Sequence, residues 1–99
     1  MPNDVLRIED LRTAIGLALD AFADEHGPEV ALVHDFYWHL PTEVSFDMSC
    51  APSDMTVGQL SDDLGEVGQM LVGGDFQPVW HALAHINGLL RFVEHTARP

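Results

Sequence analysis

Between Asp4 and Glu25 the residues Val5, Ile8, Leu11, Ile15, Leu19 and Phe22 recur at spacings of three and four, with Ala18 on the flank. That period predicts an amphipathic helix. Asn3 or Asp4 is placed to cap its start, and His26-Gly27-Pro28 to end it, because glycine accepts a left-handed conformation and proline readily follows a helix. Asp20, Asp24 and Glu25 fall in its last turns, where the negative end of the helix dipole disfavours them and no nearby arginine or lysine offsets them.

The period changes to two over residues 34–40, with Phe36, Trp38 and Leu40 on one face and Asp35, Tyr37 and His39 on the other. After Pro41-Thr42 the alternation returns as Val44, Phe46 and Met48 against Glu43, Ser45 and Asp47, so a hairpin is the simplest reading. The alternative is a short helix begun by Pro41 and running through Glu43 to Asp47.

Thr56-Val57-Gly58-Gln59 has the form of a capping box, with Met55 and Leu60 as a hydrophobic staple. The helix it predicts carries Val57, Leu60, Leu64, Val67 and Leu71 on its apolar stripe and Asp62, Asp63 and Glu66 on the opposite, solvated face, and stops at Gly73-Gly74. A last helix runs from about Pro78 to Ala97, capped upstream by Asp75, with Val79, Leu83, Ile86, Leu90 and Val93 as its stripe, widened by Ala82 and Leu89. The expected architecture is a mostly helical α+β fold. Three amphipathic helices carry a small antiparallel β-hairpin between helices one and two, in a single compact domain over residues 1–99.

Composition narrows what such a domain can do. Sixteen Asp and Glu stand against four basic residues, all arginine, for a formal charge of −12. Without lysine there is no P-loop, Schiff-base or pyridoxal chemistry, and without a basic surface nucleic acid is not a direct ligand. The N-terminus lacks the basic and apolar regions of a signal peptide, and no apolar run is long enough to span a bilayer, so a cytoplasmic protein away from membranes is expected. Cys50 has no partner for an intrachain disulfide and no cation to activate its thiol. Acidity of this size fits both background composition and solubility, and equally an electrostatically steered interaction.

Two constellations stand out. His81 and His85 are four apart on the last helix and project from one face, a spacing that chelates a metal. Ala82 occupies the place of the glutamate that a metalloprotease helix uses as general base. Further ligands would come from His39, Asp35 or His34. The aromatic strand supplies the second, with Phe36 and Trp38 read as core and Asp35, Tyr37 and His39 as a candidate interaction face, joined by Asp62 and Glu66. Trp80 lies off the last helix's stripe, and either packs over the preceding loop or anchors an interface. The expected function is a small acidic, non-enzymatic interaction module that binds a basic protein partner or a second copy of itself, without a cofactor. The alternative is a protein that binds a divalent metal through His81, His85 and His39.

Overall fold

The computed structural model describes residues 4–49 and 51–99, so the expectations placed on Asn3 and Cys50 lie outside the described residues. Its elements are α1 (Ile8–His26), β1 (Phe36–His39), α2 (Thr42–Ser45), β2 (Thr56–Gln59), α3 (Leu60–Leu71) and α4 (Val79–Ala97). The fold is mostly helical α+β, with its two-stranded antiparallel ladder after α1 and before the later helices in chain order. Two compact units divide the chain, residues 1–31 and 32–99.

The first unit is built on α1, which begins at Ile8 rather than Asp4. Arg7 is its cap, with extended backbone and no side-chain hydrogen bond. Glu9 and Asp10 in the first turn suit the positive end of the dipole there, and Arg12 pairs with Glu9 one turn on. Gly27 ends the helix with φ 91°, its N–H bonded to the Ala23 carbonyl at 2.8 Å. At the acidic tail His26 stacks on Phe22 and lies 3.8 Å from Glu25.

In the second unit β1 pairs with β2, in the register Phe36↔Gln59, Tyr37↔Gly58, Trp38↔Val57 and His39↔Thr56. The second strand is therefore 56–59 and not the alternating stretch 44–48, of which residues 42–45 form the short helix α2. Thr56-Gln59 is consequently no capping box. The Thr56 hydroxyl reaches back to the His39 carbonyl at 3.4 Å, and the first amides of α3 are satisfied from the residue just before β1. Asp35 does this: its carbonyl accepts the Leu60 N–H at 2.6 Å, its Oδ1 the Ser61 N–H at 2.9 Å, and its Oδ2 the Gln59 side-chain amide at 2.8 Å. A carboxylate fixed at a helix N-terminus by amide donors favours its charged form, and the Asp35 carboxyl is held below the usual range by these bonds, that of Gln59 foremost.

α3 and α4 pack against each other, and their covered faces follow the sequence stripes in part. On α3 the covered positions are Leu60, Asp63, Val67 and Met70, while Leu64 and Leu71 are exposed. On α4 the expected stripe positions Ala82, Ile86, Leu89, Leu90 and Val93 are covered, joined by His85, Gly88 and Phe92, while Val79 and Leu83 are exposed. Leu60 is 2% exposed and Asp63 4%, so the acid assigned to solvent sits beside the most buried leucine. The ladder covers the opposite face to the one expected. Tyr37 and His39 are partly covered, whereas Phe36 is 66% exposed and Trp38 74%. A two-stranded ladder has one face to cover, and the hydroxyl of Tyr37 decides which, because it is bound to Asp63. Trp80 is 70% exposed, so it does not fold over the preceding loop. Pro78 is the cap residue of α4 and Asp75 instead closes a turn by accepting the Gln77 N–H at 3.0 Å.

Candidate metal centre

Asp63 is the hub of the second unit's polar interior. Its Oδ2 accepts the Tyr37 hydroxyl at 2.7 Å from β1, and its Oδ1 accepts His85 Nδ1–H at 2.7 Å from α4. A carboxylate so placed has an acceptor role on both oxygens, which in the neutral imidazole of His85 puts the proton on Nδ1 and leaves Nε2 with its lone pair. Two glycines make room for this. A Cβ on Gly88 would collide with Asp63 Oδ2 and the Tyr37 hydroxyl, and a Cβ on Gly58 would enter the Tyr37 ring.

Beyond the carboxylate lie the two histidines. His85 Nε2 is 3.3 Å from His81 Nε2, with the rings 83° apart. Two nitrogen ligands at about 2.0–2.1 Å from a tetrahedral Zn²⁺ stand about 3.3–3.4 Å from each other. Glu66, one turn after Asp63 on α3, completes the group: one ligand atom from each of Glu66, His81 and His85 lies within 4.8 Å of the others. A carboxylate on the far nitrogen of a ligating histidine fixes ring and tautomer, and Asp63 holds that position on His85. His85 is partly covered, whereas His81 and Glu66 are exposed.

Two clefts of about 450 Å³ each flank the histidine pair. One is lined toward the ladder by Tyr37, His39 and Gly58, the other along α3 by Ser61, Gly65 and Gln69. Asp62, His81 and His85 line both. His39 thus faces the same cleft as the pair, but the residue grouped with the histidines is Glu66. Asp35 is occupied at the start of α3, His34 lies edge-on to His95 at 5.9 Å, and Trp80 stands edge-on to His81 at 5.7 Å. Sequence patterning missed Asp63, Gly58 and Gly88. Their signal was present: the α4 positions 82, 85, 89 and 92 form a stripe at spacings of three and four with a histidine inside it.

Burial, the bond to Asp63 and the charge of that carboxylate together push the Tyr37 phenol up to about 12. A pKa raised on folding contributes stability in full below the free value of about 10, lost as pH rises through the folded value. Tyr37 is the sole tyrosine, so ultraviolet absorbance reads it directly. Its titration is expected near 12 in the native protein and somewhat lower in Asp63→Asn, which removes the carboxylate charge but keeps the burial and the hydrogen bond, with native folding stability declining as pH rises from about 10 to about 12. A native midpoint at 10 would contradict the Tyr37–Asp63 bond.

No family model, curated protein or solved structure matches this chain, so the site is read from its own geometry. No helix among the described residues is long and apolar enough to cross a membrane.

Proposed function

We propose that the protein binds one late first-row divalent cation, Zn²⁺ being the best fit, through His81 Nε2, His85 Nε2 and a Glu66 carboxylate oxygen. The observation that carries this reading is the 3.3 Å separation of the two Nε2 atoms, with Asp63 behind one of them. Two neutral imidazoles facing each other at that distance form at best a long hydrogen bond, whereas a cation between them uses both lone pairs. Two nitrogens and one carboxylate suit Zn²⁺, and Co²⁺, Ni²⁺ and Cu²⁺ follow with affinities in the usual order. Titration calorimetry on the metal-free protein is expected to give one Zn²⁺ per chain. A free Zn²⁺ concentration 100 times Kd would then add about 2.7 kcal/mol of stability by mass action, seen as a rise in Tm. The double variant His81→Ala/His85→Ala should show neither effect, and equal Tm shifts in both proteins would refute the site.

A second reading, an acidic interaction module, is favoured by the outer face of the ladder. Phe36, Trp38 and Val57 stand side by side there, each more than half exposed. Contiguous exposed aromatics of this kind serve as interface anchors, and a charge of −12 steers toward a basic protein. Sedimentation at rising concentration, alone and with a basic protein such as lysozyme, is expected to show association that Trp38→Glu weakens at least tenfold. A wild type monomeric in both series would remove the support for this reading.

A further inference from the structure

We infer that the bound metal keeps an open coordination position and that the site hydrolyses neutral esters, with Asp62 as the proton acceptor for the metal-bound water. This inference rests on the metal reading above and assigns that site a reaction and a substrate class.

The donor set comes first. Three protein ligands leave a tetrahedral cation one position short, and His₂Glu with water in the fourth place is a ligand count of catalytic rather than structural zinc. No fourth histidine, cysteine or carboxylate joins Glu66, His81 and His85 among the described residues. Access follows from the clefts. The two histidines line both of them, each about 450 Å³, so a cation held by the pair would border space enough for a small ester.

Asp62 supplies the proton acceptor. It is the one carboxylate that lines both clefts beside both histidines without belonging to the ligand group, and it is exposed and makes no hydrogen bond or ion pair among the described residues. Asp63, by contrast, has both oxygens committed to Tyr37 and His85. The division of labour falls on three acids of one helix: Asp62 takes the proton, Asp63 orients His85, and Glu66 ligates. A cation lowers the pKa of bound water far enough for a carboxylate to take its proton near neutrality.

In the reaction, water on the cation gives one proton to the Asp62 carboxylate. Its oxygen bonds to the ester carbonyl carbon while the carbonyl π pair moves onto oxygen, polarised by the cation. The carbonyl re-forms as the bond to the alkoxy oxygen breaks. The leaving oxygen takes the proton from Asp62, giving one carboxylic acid and one alcohol for each ester and water consumed.

Charge sets the substrate class. The clefts are lined by Asp62 and Asp63 or Glu66 and by no arginine, and the chain has no lysine. A phosphate ester or carboxylated substrate would meet carboxylates with only the cation to offset them, whereas a neutral ester meets no such repulsion.

The test uses the full chain loaded with one equivalent of Zn²⁺, with p-nitrophenyl acetate and p-nitrophenyl phosphate as probes and calorimetry run in parallel. Multiple turnovers on the acetate are expected, at least tenfold faster than an equal concentration of free Zn²⁺ in the same buffer, with no turnover on the phosphate. Asp62→Asn should keep Zn²⁺ affinity within threefold and lose about 100-fold in kcat. Zn²⁺ binding at the site with no rate above free Zn²⁺ would overturn the hydrolytic inference and leave the metal reading standing. Absence of Zn²⁺ binding would overturn both. An unchanged kcat in Asp62→Asn would overturn the assignment of the base, and phosphate cleavage as fast as acetate cleavage would overturn the substrate class.

Discussion

Asp63→Asn is expected to weaken Zn²⁺ binding about 10–100-fold while leaving the fold nearly intact, because it changes a tautomer rather than a contact. The amide is close in shape to the carboxylate. Its oxygen still accepts the Tyr37 hydroxyl, and its NH₂ group faces His85 Nδ1, which the carboxylate had faced as an acceptor. His85 answers by moving its proton to Nε2, the atom that must carry a lone pair to ligate. All groups remain hydrogen-bonded, so the stability cost is about 1 kcal/mol, the difference between a charge-assisted and a neutral bond. Metal affinity then falls by the work of restoring the other tautomer against the new bond. Calorimetry with parallel denaturant unfolding separates the two effects. Equal Zn²⁺ affinity in variant and wild type would show that Asp63 has no part in arranging the site.

Gly88→Ala is the second large effect, and its sign is set by two opposed magnitudes. Alanine is the better helix former by about 1 kcal/mol, which alone would stabilise α4. Against this, the new methyl lands on Asp63 Oδ2 and the Tyr37 hydroxyl, so the Tyr37–Asp63 bond must lengthen or α4 must move off α3. Overpacking and the loss of a buried polar partner together cost about 2–4 kcal/mol, leaving a net loss of about 1–3 kcal/mol. Gly68→Ala on α3 is the control, since nothing lies within 4 Å of a Cβ there, and it should gain about 0.5–1 kcal/mol. Chemical unfolding of the two variants should therefore move the midpoint in opposite directions. A gain in both would mean that Gly88 does not face the Asp63 network.

The helices were legible in the sequence because their apolar spacing and terminal glycines are local signals. Gly27 and Gly73 both follow a helix end with the positive φ that glycine accepts. The second strand was not legible, because Thr56-Val57-Gly58-Gln59 satisfies a local rule for a helix start while its actual partner is Phe36-Tyr37-Trp38-His39, far back in the chain. Tertiary pairing overrode the local preference, and Asp35, just before β1, supplied the caps that Thr56 would have given.

At the site, the histidine pair was visible at i and i+4 and Glu66 was noted as a polar-face acid. Their juxtaposition was hidden because period counting sends every carboxylate outward. Asp63 violates that rule, held inside by two hydrogen bonds that replace its hydration.

The space around Tyr37 has a consequence for how this sequence can change. Its ring rests over Gly58 on one side and its hydroxyl over Gly88 on the other. A side chain at 58 is accommodated by a smaller residue at 37, whereas a side chain at 88 also needs the carboxylate at 63 to give way. Substitutions at positions 37, 58, 63 and 88 are therefore coupled, and the effect of a change at one of them depends on which residues occupy the others.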